Sequence, residues 1–183
     1  ENLAAALVLL SFWNKDRVLM DPMCGVGTIV IEAAMIARNI APGLNRSFAA
    51  EVWGCIPQPC WEAARCQARE QIDKNSKLQI YGFDSDAQRV EDSKVNANNA
   101  SVFEDITFKQ GDAKQLTLEG EYGIMITNPP YGVKMGTDRS LDLLYKSLNN
   151  IFKERRDWSL YMITADQSFP KSFTRAKPDR VRK

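Results

Sequence analysis

The sequence lacks histidine altogether, and this absence excludes several classes of enzyme. Hydrolases of the Ser/His and Cys/His types need an imidazole to accept the proton of the attacking group, so neither type is possible here. Cysteine is scarce as well, and the four present are Cys24, Cys55, Cys60 and Cys66. A zinc site needs closely paired cysteines with further Cys or His partners, which these spacings do not provide. We therefore expect free thiols, a cytoplasmic location and no metal site.

Long apolar runs and an excess of one charge are also missing. No apolar run reaches the roughly 18 residues that a membrane-spanning helix needs, which argues against a membrane enzyme. The apolar segment 3–13 lacks the basic region and the cleavage site of a signal peptide, so we interpret it as a helix beside the first strand. The net charge is only +1. A catalytic domain that relies on a separate RNA-binding domain would have this balance.

Predicted strands and helices alternate along the chain, and this order indicates an α/β fold with a parallel sheet. With 44% hydrophobic residues, the chain is expected to form one globular domain over 1–183. Residues 39–59 are interpreted as an insertion loop, and 171–183 as a solvated basic tail whose charges could also contact RNA phosphate. Strands are predicted to end at Asp21, Asp84, Gln110 and Asn128, with a fifth over 159–164, and helices to cover 28–38, 61–75, 87–100 and 140–152.

The first strand ends in an acid, Asp21, and a loop with two glycines then leads directly into a helix at Thr28. Gly25 and Gly27 allow the backbone to approach a ligand closely, because a Cβ atom at those positions would clash. Neither phosphate-binding pattern fits, since no lysine precedes Thr28 and Val30 stands where the dinucleotide pattern has its third glycine. An acid at the mouth of the loop suits an ammonium group better than a pyrophosphate. This favours an amino-acid-like cofactor such as S-adenosylmethionine.

Two more acids follow predicted strands. Asp84 is placed to accept hydrogen bonds from the two hydroxyls of a ribose, with Ser85 or its neighbours lining the adenine pocket. Asp112 could accept a hydrogen bond from the adenine amino group, whereas Asp86 is expected to cap the next helix. Taken singly, such acids are more often solvated loop residues or helix caps than ligands. Three in succession favour a cofactor site at one edge of the sheet.

The segment Asn128-Pro129-Pro130-Tyr131 follows an apolar run that is predicted to be the fourth strand. The Asn128 amide oxygen and the Pro129 carbonyl can both accept hydrogen bonds from an exocyclic amino group, while Tyr131 stacks on the ring. Proline fixes φ and offers no competing N–H group, so the carbonyl is held in one direction. A tight turn is the alternative interpretation of this segment.

These four segments together resemble the amino-group methyltransferases that use S-adenosylmethionine. The shared patterns are Asp-Pro-x-Cys-Gly-x-Gly-Thr over 21–28, Gly-x-Asp-x-Asp over 82–86, Gly-Asp-Ala over 111–113 and Asn-Pro-Pro-Tyr over 128–131. More closely, the chain is similar to bacterial RNA guanine-N2 methyltransferases that carry an N-terminal THUMP domain and are often labelled N6-adenine DNA methylases. Segment 39–48 resembles an insertion typical of that group. Met23 departs from the common form, in which a glycine stands at this position.

The resemblance implies a doubly wound, Rossmann-like sheet in the order 3-2-1-4-5, with two further strands expected after the fifth. It also implies that the catalytic residues are Asn128, Pro129, Pro130 and Tyr131. The cofactor-binding residues implied are Asp21, Cys24, Gly25, Gly27, Thr28, Asp84, Ser85, Asp112, Ala113 and Asn128. An RNA substrate is expected, with an N-terminal RNA-binding domain outside these residues.

The expected reaction is methyl transfer to guanine N2 of 23S ribosomal RNA. Transfer to guanine N2 of tRNA or to adenine N6 of DNA stays open, because Asn-Pro-Pro-Tyr serves several amino groups. A protein-amide or small-molecule methyltransferase would share every cofactor pattern. The alternative that is not an enzyme is a non-catalytic RNA-binding subunit, and the intact acids at the sheet edge argue against it.

Overall fold

The computed structural model describes residues 1–130 and 138–165 together with 169, 173 and 181; of residues 138–140 it describes the backbone alone. The strands are β1 (Leu19–Asp21), β2 (Ile80–Asp84), β3 (Ile106–Gln110), β4 (Ile124–Thr127) and β5 (Ser159–Met162). The helices are α1 (Asn2–Leu10), α2 (Thr28–Ala37), α3 (Gln58–Glu70), α4 (Ala87–Asn99) and α5 (Asp138–Lys153). In the described part of the chain, no helix is long and apolar enough to span a bilayer.

All five strands run parallel in one sheet, in the order β3-β2-β1-β4-β5. The predicted α/β class and strand order are therefore confirmed. Met20 in β1 lies between Tyr81 of β2 and Met125 of β4. The strand order reverses between β1 and β4, so a crevice opens outside their carboxyl ends, where ligands bind in sheets of this kind.

Helices cover both faces of the sheet, and the central strands are apolar on both sides for that reason. In β4, Ile124 and Ile126 belong to the core cluster under α1, α2 and α4, whereas Met125 belongs to the cluster under α5. All three side chains are fully buried. The site at the carboxyl edge thus rests on strands that are fixed from both faces.

Several predicted boundaries shift for local reasons. Helix α3 begins at Gln58 rather than 61, because Pro59 in its first turn suits a helix start. It ends at Glu70 rather than 75, because the Asp73 carboxylate accepts hydrogen bonds from the backbone N–H groups of Asn75 and Ser76, which competes with helix. Residues 58 and 59 therefore belong to a helix and not to the insertion loop. Strand β5 stops at Met162, two residues before its predicted end.

The α1 segment is shorter than the predicted 3–13 stretch. The Ser11 hydroxyl donates to the Val8 carbonyl (2.6 Å), and Phe12 adopts a positive φ of 57°, so the chain leaves the helix. A packing role is the simplest expectation for each of the four tryptophans, and Trp13 and Trp158 are buried. That expectation is wrong for Trp53, which directly follows a 3-10 helix in the insertion and is 60% exposed.

Candidate active site

The candidate site lies at the carboxyl edge of the sheet, where β1 and β4 separate. Asp21 ends β1, Asp84 ends β2, and Asn128 directly follows β4. The structure therefore brings these three predicted site residues to the same edge.

Hydrogen bonds attach the loop after β1 to the end of β2. The Gly25 N–H donates to Asp84 Oδ2 (3.0 Å), and the Cys24 N–H donates to the Phe83 carbonyl (2.8 Å). Within the loop, the Gly27 N–H donates to the Cys24 carbonyl (2.8 Å). The loop that leads into α2 at Thr28 is thus fixed before any ligand binds.

The two glycines of this loop meet different surroundings. Gly27 has a φ of +87°, and a Cβ atom there would lie 3.0 Å from Ser93 Cβ and 3.1 Å from Ile31 Cδ1. Gly25 has a φ of +56°, and a Cβ atom there would meet nothing within 4 Å. Gly27 is therefore required by packing and backbone conformation, whereas the backbone of Gly25 faces open space that a ligand could fill.

Asp21 is a buried acid that is 1% exposed. Its Oδ1 accepts hydrogen bonds from the Met23 N–H (3.1 Å) and from the Thr127 hydroxyl (2.8 Å). Burial, with a smaller contribution from the charge of Asp84, raises the pKa of this carboxyl to about 7, although the two hydrogen bonds act in the opposite direction. Asp21 thus lies near the balance between its neutral and charged forms at neutral pH, and a cation nearby would shift it to the charged form.

Cys24 is buried beside the two acids. Burial is the main cause that raises the pKa of its thiol, and the charges of Asp21 and Asp84 add to it. A thiol held protonated in this way is a poor nucleophile. Its place in the loop is therefore structural, although contact with a cofactor stays a prediction.

Asp84 anchors the loop and keeps acceptor capacity. Its Oδ2 accepts from Gly25 and its Oδ1 accepts from the Asp86 N–H (3.0 Å). A carboxylate has about four acceptor positions, so two are left for ribose hydroxyls. Ser85 is exposed, and its carbonyl accepts from Gln110 Nε2 (3.0 Å). Asp86 caps α4 as predicted, because its side chain accepts from the Gln88 N–H (2.9 Å).

Asp112 lies near the same edge, in the turn after β3. Its Oδ1 accepts from the Lys114 N–H (2.9 Å), and its Oδ2 lies 3.4 Å from Lys114 Nζ. The Gly111 N–H donates to the Asp84 carbonyl (2.9 Å), which joins this turn to β2. Ala113 is buried. Asp112 is therefore a cap of a short 3-10 helix in this structure, and its contact with adenine stays a prediction.

On the β4 side, Asn128 is exposed, Pro129 is buried and Pro130 is half-buried. Within the described residues, no hydrogen bond is found to the Asn128 side chain. A rigid, buried proline directly after an exposed amide fixes the direction of the chain while the amide remains accessible. Tyr131, the fourth residue of the predicted motif, lies outside the described residues.

Thr127 is the polar residue of this site that sequence reasoning missed. It is fully buried at the end of β4, and its hydroxyl bonds to Asp21 across the crevice. A hydroxyl inside a fully apolar strand must find a partner. The threonine in the run Ile124-Met125-Ile126-Thr127 was the available signal, although its partner could not be found from the run alone.

The residues present fit a nucleoside that carries an amino-acid group. Open space lies over the Gly25 backbone, the Asp84 carboxylate has acceptor positions left, and Asp21 is a buried acid that a cation would stabilise. Among the described residues, no cluster of His, Cys, Asp or Glu could hold a metal ion. Cys55, Cys60 and Cys66 are exposed free thiols.

Comparison with known proteins gives relatives over nearly the whole chain. YpsC of Bacillus subtilis, a protein named for RNA methyltransferase activity, is 41% identical over 175 residues, which are 96% of this chain and 46% of YpsC. The ribosomal RNA large subunit methyltransferase K/L of Shewanella baltica is 41% identical over 172 residues, which are 91% of this chain and 24% of that protein. The chain therefore spans less than half the length of these curated relatives.

A solved structure agrees with the sequence relatives. SMU.472, described as a methyltransferase and solved in complex with SAH, has 39% sequence identity and a TM-score of 0.92; the match covers 98% of this chain and 47% of that one. The family model for the RMKL-like methyltransferase domain matches residues 1–183. The resemblance that the four motifs carry is thus confirmed at the level of the family. This chain belongs to the RMKL-like methyltransferase domain family.

Proposed function

We propose that this chain transfers a methyl group from S-adenosylmethionine to an exocyclic amino group of a nucleobase in RNA. The observation that carries the proposal is the exposed Asn128 amide at the end of β4, across the crevice from the loop at Asp21 and Gly25. The finer proposal is that the target is guanine N2 of 23S ribosomal RNA.

The cofactor is assigned to the β1 and β2 side of the crevice. S-adenosylmethionine, when bound, supplies an electrophilic methyl group on a sulfonium. Asp84 would accept hydrogen bonds from the ribose hydroxyls, and the Gly25 backbone would allow close approach. The buried Asp21 carboxyl would give negative charge for the ammonium group. SMU.472 was solved in complex with SAH, which supports the choice of cofactor.

The β4 side would hold the base. A guanine N2 or adenine N6 is a weak nucleophile, because its lone pair is delocalised into the ring. Hydrogen bonds from the amino group to the Asn128 oxygen and the Pro129 carbonyl would stabilise the positive charge that grows on nitrogen during attack. They would also direct the lone pair at the methyl group, so positioning carries much of the rate. The proton can leave to solvent afterwards, so no histidine is needed.

Tyr131 would stack on the flipped base, a role that we propose from its place in the motif. The substrate class is supported by the names of YpsC and of the Shewanella baltica enzyme, which specify RNA and large-subunit ribosomal RNA. We also propose that residues 1–183 are the catalytic domain of a longer protein whose other part supplies RNA affinity, because the net charge here is +1. The free thiols favour a cytoplasmic location.

The test uses the longer protein that contains this chain and S-adenosylmethionine labelled in its methyl group. Ribosomal RNA, tRNA and DNA from a deletion strain are offered separately, and the modified nucleosides are identified by mass spectrometry. We expect label in N2-methylguanosine of the large-subunit RNA, with Asn128→Ala as the inactive control. Label confined to tRNA or to DNA adenine would replace the substrate, and label in none of the nucleic acids would refute the proposal.

A further inference from the structure

Thr127 connects the two sides of the crevice. Its hydroxyl donates to Asp21 Oδ1 at 2.8 Å, and both residues are buried, with 0% and 1% exposure. On its other side, the Thr127 carbonyl accepts from the Ile163 N–H (3.1 Å) next to β5. The residue that directly precedes Asn128 is thus held from both sides.

This hydrogen bond lies at the carboxyl ends of β1 and β4, where the two strands separate. The register of β1 on β4 pairs Leu19 with Ile124 and Met20 with Met125. Beyond that register the two strands lead to opposite sides of the crevice, and the bond between Thr127 and Asp21 joins their ends. A side-chain hydrogen bond between two buried groups holds the adjoining backbone more tightly than an exposed one would.

We propose that the Thr127 hydroxyl is a positioning group, which ties the cofactor-binding loop to Asn128 through its hydrogen bond to Asp21. This inference rests on the proposed function. Thr127 itself touches neither the base nor the cofactor. It acts through the two residues that it joins.

The hydrogen bond from Thr127 also affects the charge state of Asp21. The Met23 N–H and the Thr127 hydroxyl are the two donors that favour the charged carboxylate. Among the described residues, the titratable groups that face Asp21 are Asp84 and Cys24, and the charge of Asp84 opposes ionisation. Loss of the Thr127 hydroxyl would remove one of two favourable contacts and leave the opposing ones unchanged. The pKa of Asp21 would therefore rise, and the end of β4 would lose its side-chain hydrogen bond to the end of β1, while the backbone pairing of the two strands remains.

The experiment compares Thr127→Val, which has nearly the same shape without the hydroxyl, with Thr127→Ser, which keeps the hydroxyl. Thr107→Val is the matched control, because Thr107 lies on β3 and is exposed. Three quantities are measured on the longer protein: the carboxyl titration of Asp21 by NMR without ligand, the affinity for S-adenosylhomocysteine against pH, and kcat on RNA.

We expect Thr127→Val to lower kcat roughly tenfold or more, since small displacements of reacting groups cost this much. It should also move the Asp21 titration and the pH profile of S-adenosylhomocysteine binding to higher pH. Thr127→Ser and Thr107→Val should leave both pH profiles in place, and Thr127→Ser should restore most of kcat.

Unchanged kcat and unchanged titration in Thr127→Val would overturn the inference, and so would equal losses in the Val and Ser variants, which would indicate packing alone. If the unsubstituted longer protein methylates no RNA, the proposed function is refuted instead. In that case the Asp21 titration and the binding profile still decide whether the hydroxyl controls Asp21.

Discussion

The two sides of the crevice between β1 and β4 are built differently. On the β1 side, Asp21 and Asp84 each accept two hydrogen bonds from within the described chain. On the β4 side, Asn128 is exposed, and its side chain has no hydrogen bond within the described residues. A side whose polar groups are already hydrogen-bonded to the protein keeps its shape without ligand, whereas an open amide keeps its full capacity for a partner. Cofactor binding should therefore depend on structure that is already present, and base recognition on contacts that only the substrate completes.

Asn128→Ala is the substitution that best distinguishes the contributions of the two sides of the crevice. We expect kcat on RNA to fall roughly 10²–10³-fold, by analogy with the loss of one oxyanion-hole donor. The affinity for S-adenosylhomocysteine should stay within about twofold, since Asn128 anchors none of the loop hydrogen bonds. Single-turnover kinetics and calorimetry on the longer protein measure the two quantities. Near-normal turnover would refute the amino-group methyltransferase interpretation of this motif.

Asp21→Asn tests the charge on the β1 side. The pKa of Asp21 in the folded chain, about 7, is higher than the ordinary value of 3.8, so between these pH values the folded state binds more protons than the unfolded state. Stability from this group is therefore fully present below the ordinary value and decreases as the pH rises towards 7. We expect the free energy of unfolding to fall by about 2 kcal/mol between pH 5 and 7.

Asp21→Asn should remove that fall, because an amide oxygen can still accept from Met23 and Thr127 without titrating. Denaturant unfolding at several pH values gives the comparison. The pKa of Glu32 is also raised by burial, but it is common to both proteins and cancels in the difference. In the unsubstituted protein, S-adenosylhomocysteine should bind more tightly as the pH rises through 7, because the ammonium group of this ligand favours the charged Asp21 carboxylate. An equal pH dependence in both proteins would contradict the assignment.

Asp84→Ala should impair cofactor binding on the β1 side of the crevice and leave the base site on the β4 side unchanged. Removal of the acceptor for the ribose hydroxyls and for the Gly25 N–H is expected to weaken S-adenosylhomocysteine binding by roughly 1–3 kcal/mol. Asp86→Ala is the matched control, because Asp86 is two residues away and caps α4. It should lower thermal stability and leave affinity alone. If calorimetry shows equal affinity for the two variants, the cofactor lies elsewhere.

Much of this fold could be predicted from the sequence because its signals are local. The apolar runs that end in Asp21 and Asp84 fixed two neighbouring strand ends, and the strand order followed from the resemblance. What the sequence could not show depends on contacts between distant residues. The bond from Thr127 to Asp21 joins residues 106 positions apart. Likewise, the exposure of Trp53 depends on how the insertion folds, which its residue types do not show.

The sequence predicted which residues reach the site, but it did not predict how residues of the same type differ there. Gly25 and Gly27 looked equivalent in sequence, yet packing explains Gly27 and leaves Gly25 facing open space. Asp84 and Asp112 both follow strands, but only the Asp84 carboxylate accepts the hydrogen bond from the Gly25 N–H that shapes the crevice. A pattern of residue types shows which side chains reach an edge. It does not show which of their acceptor positions remain free there.

The smallest effect expected is that of Gly25→Ala, and it tests whether the open space beside the β1 loop is where the cofactor lies. A side chain at a φ of +56° costs about 1 kcal/mol of stability, whatever the surroundings. Gly120→Ala is the matched control, since Gly120 also has a positive φ, +79°, and lies in the loop before β4. Both variants should therefore lose stability in thermal unfolding, and Gly120→Ala should lose somewhat more, because a Cβ atom there would lie 3.2 Å from Val18 Cγ2. Only Gly25→Ala should also weaken S-adenosylhomocysteine binding, by roughly tenfold, because its methyl group would occupy space that the ligand needs. Equal affinities in the two variants would mean that the space over Gly25 is not part of the cofactor site, and the assignment would then depend on Asp84 alone.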